Sequence, residues 1–286
     1  MIKSENAKIS LSSLKESFEA KLKFEVSQFD QTILGEACKY SLLTGGKRLR
    51  PIIVYLMSLA LNSKEDVFKA AVSLEYFHTA SLIADDMPCM DNDDFRRDHL
   101  TNHKKFGEAT ALLASYALIV EAFEKIYQAQ EASTLVDKER RGLIALKEVS
   151  FAAGMFGATG GQFLDLFSKK GCLNDFSKII ERKTVRLFEV SFLMGWIFAG
   201  GDLAVLETVR QLGYHFGFAF QLADDLQDLA QDRFKEKQAN FALYLGEENA
   251  QALFSSHTQA YFDQLDKLKV DKEGLVALGK RLCQKN

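Results

Sequence analysis

Residues 70–84 read Ala70-Ala-Val-Ser-Leu-Glu-Tyr-Phe-His-Thr-Ala-Ser-Leu-Ile-Ala84 and run straight into Asp85-Asp86. The stretch lacks proline and glycine, and most of its residues are apolar or small. Such a run is a helix buried over much of its circumference. Phe77, Ala80, Ser81 and Ala84 share one face of it by their spacing. The last turn then brings two adjacent acids to the negative end of the helix dipole, which is unfavourable unless something positive compensates.

The chain on either side has the same texture. It has 286 residues, 47% hydrophobic, 26% charged and 11% aromatic, and only two prolines, Pro51 and Pro88. Proline usually makes up about 5% of a chain. Leu and Ala far outnumber Val, Ile and Thr, a bias that favours helix over strand. Helical patterns run near 11–29, 31–43, 48–61, 65–87, 107–129, 137–168, 174–199, 203–232, 238–246 and 250–283, with breaks at Gly45-Gly46, Gly107, Gly171 and Gly200-Gly201. No linker or internal repeat divides them. The expected architecture is all-α, one domain over 1–286.

Charge and apolar runs exclude other classes. The net charge of −3 gives no basic field for nucleic acid. The apolar stretches Pro51–Leu61 and Val190–Ala199 are short of the roughly 20 residues that span a bilayer. The N-terminus has no apolar signal core, and the four cysteines are scattered without a Cys-x-x-Cys pair. A cytoplasmic protein with reduced cysteines is expected.

Three charged constellations carry the chemistry. Residues 85–98 hold six Asp and two Arg, in the order Asp85-Asp86-Met-Pro-Cys-Met-Asp91-Asn-Asp93-Asp94-Phe-Arg96-Arg97-Asp98. Carboxylates without His or Cys suit Mg²⁺, which binds through one or two of them plus substrate phosphates. A second cluster, Phe220-Gln221-Leu-Ala-Asp224-Asp225-Leu-Gln-Asp228, lies in another apolar helix, with Gln221, Asp224 and Asp228 on one face. The third is basic: Gly45-Gly46-Lys47-Arg48-Leu49-Arg50-Pro51, at a helix start. Positive charge opposes the dipole there, and a bound anion resolves the conflict. His78 precedes Asp85 by two turns, roughly 10.5 Å along the axis.

In this order the motifs resemble the trans-isoprenyl diphosphate synthases, or polyprenyl synthetases. Gly160-Gly161-Gln162-x-x-Asp165 and Lys183-Thr184 also look like family signatures, and the resemblance is strongest over 30–250. The four-residue gap between Asp86 and Asp91 looks like the bacterial short-chain type, which makes farnesyl or geranylgeranyl diphosphate. The resemblance implies antiparallel helices around a deep central cavity, a homodimer, and condensation of isopentenyl diphosphate with an allylic diphosphate. It further implies about three Mg²⁺ ions on Asp85, Asp86 and Asp91 and on Asp224, Asp225 and Asp228. Lys47, Arg50, His78 and Arg97 would hold isopentenyl diphosphate. Arg96, Lys183, Thr184, Gln221 and Lys237 would hold the allylic diphosphate, with Lys183, Thr184 and Gln221 catalytic. Phe77, Ala80 and Ser81 would set product length. Farnesyl-making relatives often carry a large aromatic where this chain has Ala80, so the twenty-carbon product is expected, with Phe77 as floor. A non-catalytic partner subunit on the same fold is the second reading.

Two departures from the family pattern stand out. Asp98 follows Arg96-Arg97 where the family usually has Gly. The segment after Asp228 is short and lacks the usual Gly-Lys-x-Thr-Tyr-Pro, leaving Lys235 or Lys237 to replace its lysines. Asp93, Asp94, Asp98 and Arg48 are read as solvent-side charges, Trp196 and the phenylalanines as core, and Gly160-Gly161 as a close packing point.

Overall fold

Helix α1 (Leu11–Ser27) starts where the Ser10 hydroxyl accepts the Ser13 amide at 3.1 Å and buries Phe18, Leu22 and Val26. In this computed structural model, which describes residues 10–167, 173–235 and 240–283, helix follows helix. They are α2 (Ile33–Leu43), α3 (Leu49–Ala60), α4 (Phe68–Asp85), α5 (Asn102–Phe106), α6 (Glu108–Ala132), α7 (Lys138–Ala153) and α8 (Ala158–Phe167). After them come α9 (Leu173–Ile180), a π turn (Glu181–Val185), α10 (Arg186–Phe198), a 3₁₀ turn (Leu203–Val205), α11 (Leu206–Lys235), α12 (Phe241–Leu245), α13 (Glu247–Lys267) and α14 (Glu273–Cys283). Lys237 and Gly171 lie outside the described residues, as does the side chain of Lys235.

Two helices form the centre. Every residue of α10 from Leu187 to Phe198 is buried, which is what a helix apolar all round requires. It packs on α3, α4, α7 and α11, while α4 packs on α3 and α6. The all-α reading therefore holds, and the run that ends at Asp85 is a central helix.

Local departures have identifiable causes. The stretch expected as one helix over 137–168 is two, because the chain turns at Gly154–Gly157 and the Thr159 hydroxyl donates to Ala153 O at 2.7 Å. The last expected helix likewise divides, between Lys267 and Glu273. A two-stranded hairpin, β1 (Phe95–Arg96) with β2 (His99–Leu100), was not expected. Its two turn residues, Arg97 and Asp98, have φ of +53° and +64°. Both central positions of the tight turn that suits a hairpin need positive φ, and Asp tolerates it better than most residues. Asp98 thus holds the second position of this turn. The Tyr40 hydroxyl donates to Leu100 O at 2.8 Å, and the Asn102 amide donates to Ala37 O at 2.9 Å, so the hairpin is fastened to α2.

Arg48 is a correction. It is 4% exposed, ion-paired to Glu75 at 2.5 Å and donating to Leu42 O at 2.6 Å. Its partner Glu75 comes from α4, so Arg48 locks the start of α3 to the central helix rather than facing water.

Candidate active site

The first acidic motif begins at the C-terminal end of α4. Consecutive residues on a helix point about 100° apart, so the two adjacent carboxylates diverge. Asp86 turns inward. It is 3% exposed and takes Arg96 as a fork, with Nε at 2.8 and 2.9 Å and Nη2 at 2.5 Å. The geometry makes it the anchor of Arg96, which engages both of its carboxylate oxygens. Asp85 stays half-accessible, and burial pushes its carboxyl up to about 6, with Lys183 pulling it down and Asp91 pushing it further up. The Asp91 amide donates to Asp85 O at 2.9 Å, folding the exposed Asp91 back beside Asp85. Asp94 pairs with Lys104 at the surface, as a solvent-side charge should.

The basic segment wraps the other end. Gly46 has φ of +132°, and a Cβ there would sit 2.5 Å from Arg97 Nη1. The missing side chain is what lets the Arg97 guanidinium lie on this backbone and donate to Gly45 O. Arg50 Nε is buried with no hydrogen-bond partner among the described residues, and its guanidinium lies 4.6 Å from the Phe188 ring centre. Burial brings Arg50 down to about 10, with Glu75 opposing and Arg97 adding to the fall. His78 is held well below the usual imidazole range, by burial first and then by Arg50, Arg97, Arg96 and Arg48. A neutral imidazole amid cationic side chains is a site short of negative charge. Lys47 departs from this group. Its Nζ reaches Asp224 Oδ1 at 3.3 Å and lies 5.4 Å from the Phe220 ring centre.

The third wall is the π turn against α8 and α11. Lys183 pairs with Asp165 at 2.7 Å. A Cβ on Gly161 would stand 2.3 Å from Lys183 N, so Gly160-Gly161 is the close packing point expected of it. The Thr184 hydroxyl donates to Gln221 Oε1 at 3.0 Å, and Gln221 Nε2 donates to Asp225 Oδ1 at 2.8 Å. Asp225, 7% exposed, also accepts the Phe241 amide at Oδ2, 2.9 Å away. It too is drawn inward, unlike the half-buried Asp224 and the exposed Asp228. Gln162, between Gly161 and Asp165 of the same segment, is partly enclosed. Both polar atoms of its carboxamide are buried and without hydrogen-bond partners among the described residues.

Along α4 from Asp85, Ala84, Ser81 and His78 are partly accessible, whereas Ala80 and Phe77 are closed off. Phe77 meets Phe123 of α6 edge-on, ring centres 5.1 Å apart, and the Ser115 hydroxyl donates to Ala80 O at 3.0 Å. A wide recess of about 780 Å³ opens elsewhere, beside Lys39, Tyr40 and Phe106, and neither Asp motif lines it. The chemistry, not the volume, locates the site.

Among the described residues no three His, Cys, Asp or Glu side chains form a closed cage for a metal. Mg²⁺ rarely uses one; it binds through one or two carboxylates, water and substrate phosphate. Asp85, partly accessible at the end of α4, and the exposed Asp91 folded back beside it supply two carboxylates that fit that requirement. No helix among the described residues is long and apolar enough to cross a membrane.

The chain is 42% identical over 199 residues to the farnesyl diphosphate synthase of Bacillus subtilis, covering 68% of this chain and 66% of that protein. The farnesyl diphosphate synthase of Micrococcus luteus is 35% identical over 271 residues, 90% of each chain. A heterodimeric geranylgeranyl pyrophosphate synthase large subunit of Arabidopsis thaliana is 40% identical, over 68% of this chain and 53% of that one. Two of these three matches thus span less than two thirds of the relative's length. Among solved structures, a geranyltransferase of Legionella pneumophila superposes with a TM-score of 0.85 at 27% identity, covering 96% of each chain. Residues 31–241 match the polyprenyl synthetase family model, and the chain belongs to that family.

Proposed function

We propose that this protein is a short-chain trans-prenyltransferase that joins isopentenyl diphosphate to an allylic diphosphate. One observation carries the reading. Asp85 ends α4 as an accessible acid, and two turns earlier on the same helix His78 is ringed by Arg50 of α3 and Arg97 of the hairpin, so one helix carries a side for a metal and a side for an anion. Asp85 and Asp91 on one wall and Asp224 and Asp228 on the other would hold Mg²⁺, with Asp86 and Asp225 in support. When bound, Mg²⁺ neutralises the allylic diphosphate and favours its departure.

The side chains then have distinct tasks. Lys183, and the N–H groups of Arg96 that Asp86 does not use, stabilise the charge gathering on the leaving oxygens. Thr184 presents an oxygen to the allylic cation, with Gln221 behind it. Arg50, Arg97 and neutral His78 fix isopentenyl diphosphate so that its double bond faces that cation. The allylic C–O bond breaks with its electron pair on the diphosphate, the new C–C bond forms, and the departed diphosphate takes the proton. Lys47, which bridges to Asp224, completes the isopentenyl diphosphate site once that acid is engaged elsewhere. Lys237, in the short segment that follows Asp228, is proposed for the allylic diphosphate in place of the missing motif lysines.

The tail runs down α4 past Ala84 and Ser81, and Phe77 closes the path, which favours geranylgeranyl over farnesyl diphosphate. A homodimer is proposed through α6, where Leu113, Tyr116, Val120 and Tyr127 are 54%, 57%, 68% and 55% exposed and follow helical spacing on one face. Incubation with isopentenyl diphosphate, dimethylallyl diphosphate and Mg²⁺, followed by chain-length analysis, tests activity and product together. No prenyl product would end the proposal.

A further inference from the structure

We infer that Asp225 is a positioning residue, not a metal ligand: through Gln221 it decides which way the Thr184 hydroxyl faces. The inference rests on the prenyl-transfer reading above. A carboxylate has no hydrogen to give, so Gln221 must turn its Nε2 toward Asp225 Oδ1, as it does at 2.8 Å. The carboxamide is planar, and with its nitrogen committed its oxygen is delivered to the other end. There it accepts the single hydrogen of Thr184 at 3.0 Å. The lone pairs of Thr184 are thereby turned away from Gln221, on the same π turn that carries Lys183. An oxygen in that orientation offers the negative end of its dipole to a forming carbocation, whereas a hydroxyl hydrogen would oppose it.

Asp225 is itself held. Its second oxygen accepts the Phe241 amide at 2.9 Å, and its backbone carbonyl accepts Asn240 Nδ2 at 2.7 Å. The direction of the relay therefore starts at a backbone N–H, which cannot reverse. Burial of Asp225 strengthens each link, because hydrogen-bonded dipoles couple more strongly out of water.

Asp225→Asn is nearly isosteric and tests the polarity alone. The Phe241 N–H still requires an acceptor, so the new amide must show its NH₂ group to Gln221. Gln221 then flips, and the Thr184 hydrogen turns outward. The expected result is a fall in kcat of about tenfold or more, with half-saturating Mg²⁺ and the allylic KM within about twofold of wild type. In a Thr184→Val background, where no hydroxyl remains to be misdirected, Asp225→Asn should slow turnover by less than about twofold. Gln221→Met, which cuts the relay but spares the Asp225–Phe241 link, gives the same comparison should Asp225→Asn fail to fold. Losses that multiply across the two backgrounds, an unchanged kcat, or a Mg²⁺ requirement raised tenfold would each overturn the inference while leaving prenyl transfer intact. A wild-type protein without prenyl-transfer activity would overturn both.

Discussion

Helices α4 and α11 each bring a pair of adjacent aspartates to the site, and each buries the second of the pair. Asp86 is 3% exposed and Asp225 7%, while Asp85 and Asp224 remain accessible. The parallel has a geometric cause, since neighbouring helix positions cannot face one ligand. The difference lies in what holds the inward acid. Asp86 grips a cation, Arg96, on a hairpin; Asp225 grips an amide and a backbone N–H. The first arrangement aims positive charge, and the second aims a dipole. Two adjacent acids of one type therefore sit in different surroundings, one accessible and one enclosed.

The sharpest way to break the division is to remove each member in turn. Asp85→Ala and Asp224→Ala should each cost several orders of magnitude in turnover, because metal-held charge stabilisation is worth several kcal/mol. Asp86→Ala should instead lower stability by about 1–3 kcal/mol by leaving Arg96 unpaired, a figure reduced because Arg96 is partly exposed. Its half-saturating Mg²⁺ should stay near the wild-type value. Denaturant melts and Mg²⁺ titrations separate the two behaviours. Equal Mg²⁺ defects at Asp85 and Asp86 would abolish the distinction.

Arg50 probes the basic side. Its Nε has no described partner, so the contact it lacks is one a diphosphate would provide. Arg50→Ala should raise the KM for isopentenyl diphosphate by roughly tenfold to a hundredfold, the loss of one charge-assisted contact of about 1.5–3 kcal/mol. Steady-state kinetics in which the allylic KM rises instead would exchange the two sites.

What was legible in the sequence follows the range of the forces. Long apolar runs display burial directly, so α4 and α10 could be read from them, and α6 from its period of 3.6. The motif acids were equally plain, because their spacing is local. Arg48 was misread because its partner Glu75 lies 27 residues on, and nothing near Arg48 announces it. The π turn has no local signature, since it changes which carbonyl each amide reaches rather than which residues are used. The hairpin was invisible because Arg97-Asp98 adopts a turn that glycine or asparagine normally signals. The inward turn of Asp86 and Asp225 was equally invisible, because their partners Arg96 and Phe241 arrive from other elements.

The α11 side can be sharpened by pH. His215 and His257 join α11 to α13, Nδ1 to Nδ1 at 3.1 Å, and His257 stacks on Phe218 with ring centres 4.7 Å apart. Burial, with His215 adding to it, pushes His257 from 6.5 down to about 4. His215 is lowered too, by burial and Lys267, with Asp263 opposing. Between about pH 4 and 6.5 the unfolded chain therefore binds a proton that the native pair refuses. Stability is complete above the upper value and falls as pH drops, by about 2 kcal/mol after allowance for partial exposure. Asp85, raised by burial, titrates in the opposite sense, so the informative quantity is the difference between wild type and His257→Phe. The variant should lose less stability than wild type between pH 6.5 and 4. Parallel pH profiles would show that the pair does not couple α11 to α13 in this way.

The α4 side offers the smallest effect, at the hairpin that aims Arg96 and Arg97. Asp98 sits at φ +64°, where an L-residue is strained by roughly 1–2 kcal/mol and Asp by less. Glycine removes that strain but loses more freedom on folding, by about 0.5–1 kcal/mol. The two nearly cancel, so Asp98→Gly should leave stability unchanged or raise it by a few tenths of a kcal/mol. Asp98→Ala has the strain without the local polar compensation of Asp, and should fall below wild type by about 1 kcal/mol. Both changes keep Arg97 in place, so thermal melts report the turn alone. The expected order is Gly at or above Asp, with Ala lowest. If Ala matched Gly, the turn would not be held in the left-handed region, and the hairpin would owe its shape to the Tyr40 and Asn102 bonds that fasten it to α2.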